Sequence, residues 1–514
     1  MPRRRRRRLD RAGARGRHDR RERPLHRAAA PDGDPQRPRR GHERSRRQRA
    51  GCRGGEPARE QLTRDPGSAC VGYLADVSFS GSLALHCVLA FAGAAIGADL
   101  AIARAARRLF GARAKRTAAA AERRALRRAV AALGRLKGPF AKLGQFGAVR
   151  VDLLPEEVTT ALKSLRDRVP PLPFERIRAI VESELGAPLE SAFAEFETQP
   201  LGAASIAQAH RARLPGGDPV VVKVQYPWLA ASLETDLRIV RRLLGWAGGA
   251  RRSGAAVDAL FREFGDGLRE ELDFEREARV AAEIAANLAG DASVLVPEVI
   301  ASQSTLRVLT MRHHPAVGIG DRAGLARLGV APRAVLEILA RAYCAQVFSD
   351  GLFHADPHPG NLFVVDEPGA AARPRLLFVD FGLSRRLDPA LRRELRLGIL
   401  ALLQRDLPAF LDGMERLGAI EPGHRDDVAQ SVATMFERVR SLGGLAAGGA
   451  QVISLKDEAV ALMRQTPGLR LPVDLLLYAK TLSYVFSLGA ELDAEVDMMK
   501  LCLPSLLRFL AAKD

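Results

Sequence analysis

Apolar residues recur at helical spacing over much of this chain and at strand spacing in only a few short runs. Between Thr117 and Ala148, Leu126, Val130, Leu133 and Leu136 step by three or four residues with arginines between them, which predicts a helix. Gly138-Pro139 breaks that run, and Phe140 to Phe146 opens a second helix. Residues 151–200 read as short helical patterns punctuated by Pro155, Pro170, Pro171, Pro173 and Pro188. Val220–Val224 is a valine-rich run with one lysine in it, preceded by the turn Pro215-Gly216-Gly217-Asp218, and predicts a strand. A charged helix is expected over Phe261–Ala286, a strand over Thr305–Met311 and an amphipathic helix over Ala331–Asp350. Asn361–Val365 and Leu376–Asp380 are short apolar runs, and 387–514 is helical in pattern nearly throughout. No internal repeat with a period of about 20–50 residues is found.

Composition favours helix in general. Of the 514 residues 47% are hydrophobic but only 5% aromatic, so alanine, leucine and valine carry the apolar load. The formal charge of +19 is unevenly spread, because residues 1–65 hold 23 arginines against 9 acidic residues. The folded body is therefore only weakly basic, and no specific nucleic-acid partner is indicated. Residues 1–70 read as a disordered Arg-rich tail that nucleic acid or anionic lipid can attract without specificity. Met1 is the only methionine before Met311, so a product lacking the tail needs a non-Met start such as Val71 or Val77. The five cysteines are scattered without a CxxC spacing, which argues against a disulfide framework and a zinc site and for a reducing cytoplasmic compartment.

Residues 71–116 form an apolar then basic helical segment. Val77–Ala98 carries no formal charge and is long enough for one membrane span, with Arg104, Arg107 and Arg108 following. Its Ala, Gly, Ser and His86 content favours a helix packed on the body instead. Towards the C-terminus, Leu471–Leu488 is interrupted by Asp474 and Lys480, and Leu501–Ala512 is too short to span. Membrane contact is therefore expected to be peripheral.

Three polar motifs follow one another at telling distances. His354-Ala355-Asp356-Pro357-His358-Pro359-Gly360-Asn361 places Asp and Asn five apart, as in the kinase catalytic loop. A carboxylate such as Asp356 can accept the proton of an attacking hydroxyl, and Asn361 can give an oxygen to a metal ion. Asp380-Phe381-Gly382 follows an apolar run, as the kinase DFG follows a strand, and makes Asp380 a metal ligand. Lys223, inside VVVKV, suits a lysine holding the α- and β-phosphates of ATP. Taken alone it reads as an ordinary strand lysine; its place ahead of the other two motifs reverses that. Such a lysine wants an acidic partner from the segment Glu270–Glu277, where Asp273 and Glu277 share a face on a continuous helix and Glu271 points elsewhere. No glycine-rich loop precedes Lys223. Gly202-Ala203-Ala204-Ser205-Ile206-Ala207-Gln208-Ala209-His210 stands in its place, a stiffer turn whose backbone can still face phosphate. The predicted fold is α+β and protein-kinase-like, with a small β-sheet N-lobe, a helical C-lobe and an N-terminal helical extension.

With Lys142-Leu143-Gly144-Gln145 added, the set resembles the UbiB/AarF family of atypical kinases, marked by a KxGQ helix, an alanine-rich loop, ExD, an HADPHPGN-like loop and DFG. The resemblance covers about residues 117–390 by motif. It implies that Lys142 and Gln145 lie on a regulatory helix over the cleft where a protein substrate binds in ordinary kinases. Glu271 and Asp273 match ExD, and would anchor that helix or bias the metal site; Glu277 would be the partner of Lys223, although either Glu271 or Glu277 can reach it. ATP and Mg²⁺ are the implied cofactors, with residues 202–207 over the phosphates. The implied activity is ATP hydrolysis or phosphorylation of a non-protein substrate, tied to isoprenoid quinone or lipid metabolism at a membrane. The partner is then a lipid or an isoprenoid-quinone precursor, and the location the cytoplasmic side of a membrane. A soluble small-molecule kinase and a non-catalytic nucleotide-sensing scaffold are the rival readings, and oligomeric state is not encoded legibly. The expected divisions are 1–70, 71–116, 117–200 (helical extension with KxGQ), 201–315 (N-lobe) and 316–514 (C-lobe). Two departures from the family pattern are Gly202, where alanine is usual, and Arg312 after Met311, where an acidic residue is usual. The first is expected to loosen the loop, the second to alter substrate coupling.

Overall fold

The structure, a computed structural model, describes residues 171–247, 254–441 and 449–512, apart from scattered helical positions between 93 and 124. All of these lie in one compact unit, Val77–Asp514. The Arg-rich tail, residues 77–92, the helix of Leu126–Leu136 and the KLGQ segment with Lys142 and Gln145 lie outside the described residues.

The continuous part opens with α1 (Phe174–Leu185) and the single turn α2 (Leu189–Ala192), then strands β1 (Glu195–Ala203), β2 (Ala207–Arg213) and β3 (Pro219–Gln225). Three helices come next: α3 (Trp228–Ala247), α4 (Gly254–Glu271) and α5 (Phe274–Asn287). The short strands β4 (Val294–Leu295), β5 (Val308–Arg312) and β6 (Ala316–Gly318) lead to α6 (Arg322–Leu328) and α7 (Pro332–Cys344). Strands β7 (Leu352–Phe353), β8 (Leu362–Val365), β9 (Leu376–Phe378) and β10 (Arg385–Arg386) bracket the polar motifs. Helices α8 (Pro389–Gln404), α9 (Leu407–Arg416), α10 (Arg425–Ser441), α11 (Gly449–Gln465), α12 (Val473–Leu492) and α13 (Met498–Ala511) follow.

Two four-stranded sheets organise the chain. One is antiparallel in the order β1-β2-β3-β5; the other is β4-β9-β8-β6, with β4 parallel to β9. His313 crosses from the first sheet towards the second, its N–H donating to the Pro219 carbonyl at 2.9 Å. The fold is α+β, two-lobed and protein-kinase-like. Alternation along β3 explains the small lobe: Val220, Val222 and Val224 are buried against Ile177 and Val181 of α1, so Val221 and Lys223 take the opposite face. Each such valine contributes about 1.5–3 kcal/mol by leaving water. In the helical lobe, Leu336, Leu339 and Tyr343 of α7 pack on Leu362, Leu376 and Phe378 of the second sheet and on Val485 and Leu488 of α12. Helix α12 is thus spent on the core, and among the described residues no helix is long and apolar enough to cross a membrane.

Three expectations are corrected. The charged helix expected over Phe261–Ala286 is two helices, because Asp273 caps α5: its carboxylate accepts from the Arg276 N–H at 2.8 Å. Strand β1 starts at Glu195, inside the segment read as helical; its burial pattern shows no clean alternation and it sits at the sheet edge, where Pro200 is tolerated. Strand β5 starts at Val308 rather than Thr305, whose N–H instead closes a turn onto the Val308 carbonyl at 2.7 Å.

The alanine-rich loop is a hairpin. Gly202 pairs with Ala209 and Ala203 with Gln208, and the Ala204 N–H reaches the Ala207 carbonyl at 2.8 Å. Gly202 lies in β1 rather than at the tip, and a Cβ there meets nothing within 4 Å. Its glycine therefore does not loosen the turn by necessity. Gly202→Ala should leave stability unchanged or raise it by up to about 1 kcal/mol in urea unfolding. A loss above about 1 kcal/mol would contradict this placement.

Candidate active site

The site is built around Lys223. Its Nζ donates to Glu277 Oε1 at 2.8 Å and Oε2 at 2.9 Å, and to Asp380 Oδ1 at 3.0 Å. It also lies 5.1 Å from the centre of the Phe274 ring. Glu277 is placed by the apolar stripe of α5, for Phe274, Glu277, Ala281 and Ile284 are the buried positions of that helix. Helix α5 is held to β3 at its start: the buried Gln225 donates from Nε2 to the Leu272 carbonyl at 2.8 Å. Asp273 does not share the face of Glu277; it is the cap of the helix that carries it. Glu271 ends α4 and is buried, its Cγ about 3.6 Å from where a Cβ on Gly382 would stand.

Electrostatics at this cluster are lopsided. Burial alone would lower the Lys223 ammonium, but Asp380 and Glu277 beside it hold it well above the ordinary lysine value. Burial pushes the Glu277 carboxyl up against the pull of Lys223, and the charges of Asp380 and Glu271 push the same way. One ammonium thus serves two carboxylates, Glu277 and Asp380, with Glu271 acting on Glu277 from beside them. Carboxylate oxygens gathered in this way are what a hard divalent cation takes as ligands. The donors suit Mg²⁺: the side chain of Asp380 is half-exposed, and Asn361 adds a neutral oxygen. Among the described residues, no group of three His, Cys, Asp or Glu side chains is arranged to hold a metal by itself. The protein offers a partial shell of the kind that phosphate oxygens complete.

The His354–Asn361 segment is tied to the same cluster. Asn361 Nδ2 donates to Asp356 Oδ2 and to the Asp356 carbonyl, both at 3.1 Å, and the Val379 N–H donates to the Asn361 carbonyl at 3.0 Å. The buried His354 has Nε2 2.9 Å from the Asp380 carbonyl and 3.1 Å from that of Val379. Its own N–H donates to Gln346 Oε1 at 2.9 Å, a residue presented by the π-helical turn Ala345–Asp350. Asp380 has φ 65°, a left-handed conformation that costs a non-glycine residue energy and is sustained by these contacts. On the far side of DFG, Arg276 donates to the Gly382 carbonyl at 3.4 Å and the Ser384 carbonyl at 3.2 Å.

Lys223, Glu277, Glu271, Asp380, Asp356 and Asn361 are therefore brought into one linked system. Of the loop residues, Gly202, Ala203 and Ala204 lie on the rising strand and turn, while Ser205, Ile206 and Ala207 are buried. The Ile206 carbonyl accepts from the Tyr226 N–H at 2.9 Å. Lys142 and Gln145 are outside the described residues. Arg312 is engaged at the end of the sheet, 3.2 Å from Asp218 and 3.0 Å from Glu298.

Several positioning residues escaped sequence reading. Gln208 accepts from the Leu172 N–H at 2.7 Å and so seats the entering chain, and His210 Nδ1 lies 2.8 Å from the Glu197 carbonyl. Gln225 and Arg276 act over long separations with no local signal. Glu277, expected from the family resemblance as the partner of Lys223, lies on the buried stripe Phe274-Glu277-Ala281-Ile284.

Residues 164–412 match the family model described as the ABC1 atypical kinase-like domain. The chain is 33% identical over 384 residues to the "Probable protein kinase UbiB" of Marinobacter nauticus, covering 73% of this chain and 68% of that protein. It is 35% identical over 314 residues to the chloroplastic "Protein ACTIVITY OF BC1 COMPLEX KINASE 8" of Arabidopsis thaliana, covering 59% of this chain and 40% of that one. Among solved structures, the Rv3197–erythromycin complex from Mycobacterium tuberculosis aligns with 72% of this chain and 92% of its own at 24% identity and a TM-score of 0.45. By the family model and the sequence identity to UbiB, the chain belongs to the ABC1 (UbiB) family of atypical kinase-like proteins.

Proposed function

We propose that this protein binds Mg²⁺–ATP at the Lys223 cluster and transfers the γ-phosphoryl group to water or to a non-protein acceptor at a membrane surface. The observation that carries the reading is the contact of one lysine with both Glu277 and Asp380, at 2.8–3.0 Å. Bound Mg²⁺–ATP supplies the phosphoryl donor and the charge neutralisation. Lys223 clamps phosphate oxygens, and Glu277 fixes its direction. Asp380 and Asn361 would hold the metal. Asp356 takes the proton of the attacking hydroxyl, and residues 202–207 shield the phosphates from water. Glu271 adds negative charge beside Glu277, and Asp273 keeps α5 in place by capping it. The family resemblance implies that Lys142 and Gln145 act on the acceptor side, which favours a small or lipid-borne acceptor over a protein. A link to isoprenoid quinone or lipid metabolism follows from the family resemblance.

The test is ATP hydrolysis by the full chain with Mg²⁺, with and without anionic liposomes carrying an isoprenylated phenol. Slow hydrolysis that rises with liposomes, and falls by about 100-fold or more in Asp380→Asn, is expected. An equal rate in Asp380→Asn, or neither hydrolysis nor thermal stabilisation by Mg-nucleotide, would overturn the reading.

Glu277→Gln keeps the side-chain shape but removes the charge that orients Lys223. It should lower kcat/KM by about 10–100-fold in the same assay. A rate within twofold of wild type would show that Asp380 alone positions the lysine.

A further inference from the structure

The loop His354–Asn361 contains no lysine or arginine. A transferring phosphoryl group spreads negative charge over three oxygens, and a cation close to the catalytic carboxylate stabilises it. The structure brings one in from elsewhere. Lys480, on α12, places Nζ 3.5 Å from Asp356 Oδ1.

The surroundings of this pair are specific. Asp356 divides its oxygens, Oδ2 accepting from Asn361 at 3.1 Å and Oδ1 facing Lys480. Among the described residues, Lys480 is the one cation ion-paired with Asp356. Both side chains remain about one-fifth exposed, so a ligand can reach them. The Lys480 ammonium also lies 5.5 Å from the centre of the Tyr484 ring, one turn further along. The adjoining Thr481 is fully buried, its Oγ1 2.8 Å from the Leu477 carbonyl of its own helix and 3.2 Å from the Ala355 carbonyl, so α12 packs against the residue before Asp356. Helix α12 is otherwise strongly apolar, and its lysine is held where the loop motif lacks one.

We propose that Lys480 is the γ-phosphate cation of this site, contacting the transferring phosphoryl group from α12. The proposal rests on the phosphoryl-transfer reading above. In the step, the acceptor oxygen bonds to the γ-phosphorus while the bond to the β–γ bridging oxygen breaks. ADP leaves with that electron pair, the acceptor proton passes to Asp356, and Lys480 keeps its own proton throughout.

Binding of Mg-ADP and of a non-hydrolysable Mg-ATP analogue should be measured on full-length wild type, Lys480→Met, Lys480→Arg and Thr481→Val, beside turnover. In Lys480→Met the expected result is ADP affinity within about twofold of wild type, ATP-analogue affinity down about 10-fold, and kcat down about 100-fold. Lys480→Arg should recover part of both losses. Thr481→Val should lower the melting temperature without changing the ratio of the two affinities. An unchanged ratio in Lys480→Met, whatever its melting temperature, overturns the proposal and leaves Lys480 as a structural partner of Asp356. If wild type binds neither nucleotide, the phosphoryl-transfer reading falls with it; if wild type binds both and Lys480→Met leaves the ratio of the two affinities unchanged, this inference alone falls.

Discussion

One ammonium group held between two carboxylates sets the geometry of this molecule. Lys223 bridges Glu277 on α5 and Asp380 after β9, so a strand of the small lobe, its helix and the large lobe's second sheet meet at one point. Burying a carboxylate such as Glu277 costs energy unless it is paired, and breaking such a pair typically costs about 3–5 kcal/mol. The Lys223 ammonium supplies that pairing for Glu277 and reaches Asp380 as well.

Hydrogen bonds to backbone carbonyls hold this arrangement in register. Gln225 fixes the start of α5 to β3, His354 grips the carbonyls of Val379 and Asp380, and Arg276 grips those of Gly382 and Ser384. The left-handed Asp380 is thus constrained from both sides, in the manner of a residue whose backbone energy is offset by its surroundings. Helix α12 extends the same logic. It contributes to the hydrophobic core with Val485 and Leu488, and the neighbouring turn presents Lys480 and Thr481 to the His354–Asn361 loop.

Much of the site was legible because it is local in sequence. The Asp356–Asn361 spacing, the strand-then-Asp of DFG and the lysine within alternating valines are short patterns with one physical reading each. The kinase-like order of sheet and helices followed from them. What was not legible is long-range. The break at Leu272–Asp273 depends on a cap inside a charge-rich run that reads as continuous helix. Strand β1 is a polar edge strand, so its burial leaves little apolar alternation to read. Lys480 looked like an interruption of an apolar stretch, and only the packing of α12 gives it a place at Asp356. Gly202 attracted attention through its departure from the family pattern, yet its position in β1 makes the substitution sterically neutral.

Whether the Lys223 cluster is a preformed Mg-nucleotide site is read from a crystal structure with Mg²⁺ and a non-hydrolysable ATP analogue. In the expected structure Asp380 turns from Lys223 to the metal, Asn361 joins it, and Lys223 holds Glu277 and a phosphate oxygen together. A nucleotide bound elsewhere, or a metal that engages neither Asp380 nor Asn361 while Lys223 stays on Asp380, would contradict it.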